Sequence, residues 1–459
     1  MNVLQRWFRL GERGATVRTE VLGGATTFIT MAYIIVVNPA ILAAAGFPVG
    51  ASTVATILTA AFGTLLMGLY ANRPIAVAPY MGENAFIAFV LAAMGVSWQQ
   101  SLGAVFVSGV LFALMVPLGI RPWLLNSISA SMKHSFAVGI GLFLAFIGLY
   151  ETGIVTSGAA GMPPAALLSP GATLLRAPSV PLKLGNLHDP SVLLSLLGFF
   201  LMVVLLQRRV RGAILAGIVA TAAIGACFGL ARAPSAVLAL PFSGEYSLAA
   251  TALKLDIPAV LQVAFLPVLL TLFLMALLDT IGTLSGVGAA GGMLDDKGSF
   301  PQAERPMLVD ALSCVFASLI GTTTSGAYIE SVTGIKDGAR TGLAAVVTAA
   351  LFLLALFFIP LFAPLQELRY AYAPALMAVG VLMLESVSRV DFSDLTEAVP
   401  AFATIALMVF TYNIANGLTA GLILYPLVKL AAGRVKELNG GSWALGGLCL
   451  VYYLFGLPH

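Results

Sequence analysis

Apolar runs of about twenty residues recur from one end of the chain to the other, and no other feature restricts the fold so strongly. About twenty apolar residues is the length a helix needs to cross a bilayer. Lipid cannot satisfy backbone N–H and C=O groups, so such runs must close their hydrogen bonds internally, as helices. The runs fall near 20–38, 51–70, 76–96, 101–120, 134–150, 191–207, 212–231, 258–289, 306–321, 325–339, 342–360, 372–388, 398–412 and 414–431. Hydrophobic residues make up 59% of the chain and charged ones only 9%, against about 25% charged in soluble domains. Residues 1–459 therefore read as one integral membrane domain with no large soluble part. Its halves span about 19–231 and 257–432, and the short Gly-rich tail over 442–457 reads as an interfacial helix. The run over 21–37 is not read as a signal peptide, because no small-residue cleavage site and polar mature start follow it.

Basic residues orient this array. With the N-terminus inside, eighteen of the 23 Lys and Arg residues fall on the cytoplasmic side, Arg6, Arg121, Arg208, Arg211, Lys297, Arg340 and Arg434 among them. The other side holds five: Arg176, Lys183, Arg232, Lys254 and Arg369. That bias follows the positive-inside rule and suits an even number of spans with both termini cytoplasmic.

Two segments break the pattern of clean apolar helices. The tenth begins TTTSGAYIESVTG (322–334), and the third begins PIAVAPYMGENAF (74–86). Thr, Ser and Gly runs are poor helix interiors, and prolines open the third, so both predict a short extended stretch followed by a half-helix. Non-helical backbone at membrane depth persists only where protein covers it or where it lines a wet cavity. The two breaks lie seven spans apart in a count of fourteen. Paired interrupted segments in matching positions point to a transporter of two inverted seven-span repeats, with the site where the breaks meet.

Three of the twenty acids read as deep: Glu83, Asp279 and Glu330. An intramembrane acid costs about 2.5–3.5 kcal/mol on insertion scales, so each is a functional candidate, although a single one can simply tie helices together. Asp279 and Thr283, four apart, share a helical face. Half-helix N-termini alone would favour an anion. With carboxylates beside them, a flat, neutral, hydrogen-bonding ligand such as a purine or pyrimidine fits better. Its N–H edges can donate to a carboxylate, its acceptors can face Asn84 and backbone N–H groups, and Tyr328 or Phe86 can cover a ring face. Ordinary packing accounts for those two aromatics equally well. The same acids can carry a coupling proton.

The remaining motifs carry less. GVGAAGG (286–292) follows a membrane helix, not a strand, and reads as close helix packing and not as a phosphate loop. LDDKGSFPQAERP (294–306) reads as a polar inside loop. Cys227, Cys314 and Cys449 lie far apart in apolar runs, and His134, His188 and His459 cannot make a metal cluster. No cofactor is expected. No protease-like Asp pair, His-Glu-x-x-His helix or Ser–His pair lies at depth, which argues against an enzyme.

The motifs GGATTFITMAYIIVVNP (23–39), APYMGENAFIAF (78–89), LDTIGTLSGVG (278–288) and YIESVTGIKDGARTGLAAVV (328–347) resemble the AzgA-like purine permeases. These are a branch of the nucleobase–cation symporter (nucleobase/ascorbate transporter) superfamily, and the similarity runs from about residue 22 to 434. The resemblance implies an all-α fold of fourteen spans in two inverted repeats, divided into a core that holds the ligand and a gate. It implies proton-coupled import of a purine (adenine, guanine, hypoxanthine or xanthine) by an elevator-like movement of the core. By motif match, Asp279 and Glu330 take the acid positions and Asn84 the third-span amide, with Tyr328, Ser331 and Thr283 beside them. Family members often dimerise through the gate. The expected partners are thus a small nucleobase, the lipid bilayer of a cell membrane and a second copy of the chain, with no nucleic acid.

The chain departs from the family pattern twice. Ala276 stands where many members carry a second acid, and Glu83 stands where they carry an apolar residue. Glu83 is therefore expected to take over part of the proton or ligand role. The alternatives are a uracil- or xanthine-type permease and an anion carrier of the sulfate type on the same seven-plus-seven plan. The three acids oppose an anion site. Interrupted acidic half-helices suit alternating access better than a passive channel.

Overall fold

The computed structural model describes residues 3–118, 123, 127–162, 181–294 and 300–455. Arg121, Arg176 and Lys297 lie outside them. The elements in order are α1 (Val17–Ala43), α2 (Val49–Leu69), β1 (Val77–Pro79), α3 (Met81–Leu91), α4 (Trp98–Met115), α5 (Ala130–Glu151), β2 (Val155–Ser157) and β3 (Leu182–Leu184). There follow α6 (Pro190–Gln207), α7 (Ala213–Cys227), α8 (Val263–Gly291), α9 (Glu304–Ile320), β4 (Ser325–Ala327), α10 (Ser331–Lys336) and α11 (Gly342–Glu367). The chain closes with α12 (Arg369–Arg389), α13 (Leu395–Phe410), α14 (Ile414–Ala431) and α15 (Gly440–Phe455). An ordered element therefore stands at each of the fourteen apolar runs. Among the described residues, nine of the helices are long and apolar enough to cross a membrane. The two broken runs are strand plus half-helix, β1–α3 and β4–α10.

Helix starts follow local chemistry. Thr16 and Thr19 close a reciprocal capping box at α1, and Ser97 and Gln100 do the same at α4. Asp189 caps α6 ahead of Pro190, whose missing N–H would have been unpaired there anyway.

The strands set the symmetry. β1 pairs antiparallel with β4, in the register Val77↔Ala327, Ala78↔Gly326 and Pro79↔Ser325, and all six residues are buried. A two-fold axis between antiparallel strands reverses chain direction, so the halves it relates are inverted. Helix packing repeats the operation. α2 packs on α11 as α9 packs on α4, and α1 on α11 as α8 on α4. α6 packs on α12 as α13 packs on α5, and α6 on α7 as α13 on α14. Exchanging each helix for the one seven places away, forward in the first half and back in the second, converts one member of a pair into the other. Two bodies result: a core of α1–α4 with α8–α11, and a gate of α5–α7 with α12–α14. α15 packs on α14 and on α8, and buries Leu445 and Cys449.

Gly326 shows how tight the crossing is. A Cβ there would run into the Tyr80 phenol, so only glycine lets the strands pass.

Candidate functional site

β1 ends where α3 begins and β4 ends where α10 begins, so each half-helix starts at the crossing in the core. Tyr80 N–H donates to the Thr324 carbonyl (2.9 Å) and Tyr328 N–H to the Ala76 carbonyl (2.9 Å), which extends the ladder by one bond at each end. Tyr80 and Tyr328 thereby occupy equivalent positions in the two repeats. Their rings lie 7° from parallel with centroids 6.3 Å apart.

Around this crossing stand the acids. Glu83, in the first turn of α3, is fully buried. Its carboxyl faces that of Asp279 on α8. Neither Glu83 oxygen finds a hydroxyl, amide or backbone N–H donor among the described residues. Asp279 and Thr283 are only half-buried, on the accessible face of α8. Glu330, at the start of α10, is half-buried too, and Tyr33 Oη donates to its Oε1 at 2.7 Å.

The remaining candidates face inward and are occupied by protein. Asn84 is fully buried; its Nδ2 donates to Oδ1 of the Asn38 side chain, and the Thr323 hydroxyl donates to its Oδ1. Asn38 Nδ2 in turn donates to Thr56 (2.7 Å) and Thr322 (3.1 Å). The Asn84 amide thus ties α3 to α1 and to the start of the broken tenth segment. The Ser331 hydroxyl accepts from Ala76 N–H at 3.0 Å. Tyr328 Oη donates to the Pro79 carbonyl, and Phe86 is 1% exposed. Glu83, Asp279, Thr283 and Glu330 are therefore the candidates whose polar groups are not spent on holding the crossing together, apart from the one bond Glu330 takes from Tyr33.

Three acids do not exhaust the deep ones, which corrects the sequence reading. Asp310 of α9 is fully buried. Its Oδ2 accepts from the Thr280 hydroxyl (2.8 Å) and from Ala327 N–H of β4 (3.0 Å), while its Oδ1 has no partner among the described residues. Thr280 also lies 3.2 Å from Tyr80 Oη. Since Thr280 donates to Asp310, it accepts from Tyr80, and a hydroxyl chain runs from the crossing to the residue next to Asp279. Asp310 sits in LVDALSC near the start of α9, so sequence position alone reads as a span end. Its burial comes from β4 folding over it. Glu20 is fully buried as well, and accepts N–H from Arg340 (2.7 Å), Thr341 (3.1 Å) and Ala344 (3.1 Å) at the start of α11. It neutralises orphan donors there, which is a structural task.

An inverted repeat with its strands crossing beneath carboxyl-bearing half-helices defines a multi-pass membrane carrier, not an enzyme. The chain belongs to the Permease family, whose profile matches residues 18–419, within the nucleobase–cation symporter superfamily that its motifs resemble. It is 40% identical to the adenine permease AdeP of Escherichia coli, over 95% of this chain and 93% of that one. It is 37% identical to the guanine/hypoxanthine permease PbuG of Bacillus subtilis, over 98% of this chain and 100% of that one. Among solved structures, the transmembrane domain of the cyanobacterial bicarbonate transporter BicA superposes with a TM-score of 0.55. It covers 88% of this chain and 97% of its own length at 15% identity, a likeness of fold alone.

Proposed function

We propose that this permease imports a purine nucleobase (adenine, guanine or hypoxanthine) by proton symport, with the core moving against the gate in an elevator-like step. The observation that carries the reading is the pairing of Glu83 with Asp279, with Glu330 at the start of the other half-helix, at the strand crossing of the core. Two facing carboxyls repel each other when both are charged, and a proton shared between them relieves that repulsion. A base whose N–H groups reach Asp279 and Glu330 would meet that proton, and loading of base and proton would be linked. Tyr33 positions Glu330, while Asn84 and Ser331 fix the half-helices that carry Glu83 and Glu330. The names of the adenine and guanine/hypoxanthine permeases above support purines over pyrimidines. A bicarbonate carrier of the same fold does not favour an anion here, because the accessible groups are carboxyls. The basic bias supports an orientation with both termini in the cytoplasm, and nucleobase import supports a home in the cell's plasma or inner membrane.

Glu83 is the sharpest test of the coupling. Glu83→Leu is expected to retain the fold and to abolish the proton dependence of uptake. Uptake by Glu83→Leu with an unchanged pH profile would remove Glu83 from the mechanism.

A further inference from the structure

A cavity of about 460 Å3 lies between core and gate, at the end of the seam away from the arginine-rich loops. That is within the roughly 300–1,000 Å3 of small-molecule sites. Phe89, Gln366 and Glu367 line it from the core, Glu151, Arg369 and Tyr372 from the gate. Gln366 is 6% exposed, and its Nε2 donates both to the Ile35 carbonyl (2.8 Å) and to the Thr53 hydroxyl (2.9 Å). A carbonyl accepts only, so the amide cannot be turned over. Its Oε1 has no partner among the described residues and is left as a fixed acceptor on the cavity wall. Glu151 and Arg369 approach to 3.6 Å. Glu245, on a loop over the cavity, leaves the lining with three carboxylates against one guanidinium. Acceptors in excess, net negative charge and aromatic rings together suit a flat, neutral donor of N–H bonds and turn away an anion.

One helix joins the cavity wall to the site. Phe89 lies six residues after Glu83 on the same helix, about 9 Å along the axis at 1.5 Å per residue. From residue 86 that helix widens to π-helical geometry, which often marks a functional turn. Phe89 packs edge-on against Tyr412 of the gate, with centroids 6.4 Å apart. Tyr412 packs on Phe143 at 5.4 Å and on Phe146 at 5.6 Å. This aromatic cluster spans the seam beside the cavity, so relative movement of core and gate must rearrange it.

We propose that the cavity is a second nucleobase-binding station, which holds a neutral base through Gln366 Oε1 and the surrounding carboxylates before it passes the aromatic cluster. The station rests on the purine reading of the central site. The test is equilibrium binding of radiolabelled hypoxanthine to the purified full chain in nanodiscs. Wild type is expected to bind two bases per chain with unequal affinity. Asp279→Asn should lose the tighter one only, and adding Gln366→Met should remove the other. Should Gln366→Met fail to fold, Glu367→Gln serves, since Glu367 is exposed in the cavity and makes no hydrogen bond or ion pair among the described residues. It should weaken the outer component about tenfold, the worth of a hydrogen bond to a charged group, and raise KM for uptake with the maximal rate unchanged. A single base per chain whose binding Asp279→Asn abolishes, with KM untouched by Glu367→Gln, would overturn the station and leave the purine reading standing. Wild type that neither binds nor takes up any purine would overturn the purine reading and the station with it.

Discussion

Tyr33 and Glu330 are 297 residues apart, and their hydrogen bond is the one direct hold that the described residues place on the Glu330 carboxyl. Tyr33→Phe keeps the ring and deletes the donor. A bond to a charged acceptor is worth about 1.5–3 kcal/mol, so uptake KM should rise by roughly an order of magnitude or more. An unchanged KM would mean that Glu330 is positioned by something else. Gly326 permits a second test at the same scale. Gly326→Ala should destabilise the detergent-solubilised protein by about 1–3 kcal/mol, as overpacking does. The atom met first by the new Cβ is the Tyr80 hydroxyl, so adding Tyr80→Phe should restore part of the melting temperature. Glu83, Asp279 and Glu330 could be singled out from sequence because each interrupts an apolar run. Asp310, Tyr33 and Asn38 could not. Their importance comes from contacts with β4, α10 and α3, which linear order does not disclose.

Elements carry the coupling between the two bodies. Arg211, on the loop between α6 and α7, pairs with Asp337 at 2.8 Å just after α10, and Thr26 of α1 donates to the same carboxylate at 2.7 Å. The pair joins gate to core, so an elevator-like step has to break it. Arg211 is largely exposed, and exposed pairs are worth at most about 1 kcal/mol. Arg211→Gln should therefore change the maximal uptake rate by up to about fivefold and leave KM alone. A change in KM alone would place Arg211 on the ligand path instead. At α13, Asp394 accepts from the Thr396 N–H (2.9 Å) and hydroxyl (2.8 Å) and from Arg434 (2.5 Å), which hold its carboxyl down at about 2. A depressed acid stabilises the fold above its usual value, near pH 4, and loses that contribution as pH falls through about 2. Asp394→Asn keeps a capping side chain without the charge. Its deficit in melting temperature against wild type should shrink between about pH 4 and pH 2, and a constant deficit would contradict the linkage. The broken third and tenth segments were legible because Pro and Thr/Ser/Gly runs cannot continue a helix. Their pairing register was not, since it is set by Gly326 accommodating Tyr80.

At the scale of the whole molecule, the seven-plus-seven plan follows from run lengths, the spacing of the two breaks and the split of basic residues. The packing then adds the inverted symmetry pair by pair. Sequence could not divide the polar groups of the site into those that hold it together and those left accessible. In the sequence Asn84 and Ser331 read as available as Asp279, but Asn38, Thr323 and Ala76 N–H occupy them. The carboxyls at the crossing are proposed to bind a purine and to link its entry to a proton. Uptake of radiolabelled hypoxanthine in cells lacking their own purine carriers tests this most directly, with and without a protonophore, beside Glu330→Gln. Uptake that the protonophore suppresses and that Glu330→Gln loses is the expected result. Uptake indifferent to both, or none for hypoxanthine, guanine and adenine alike, would contradict it.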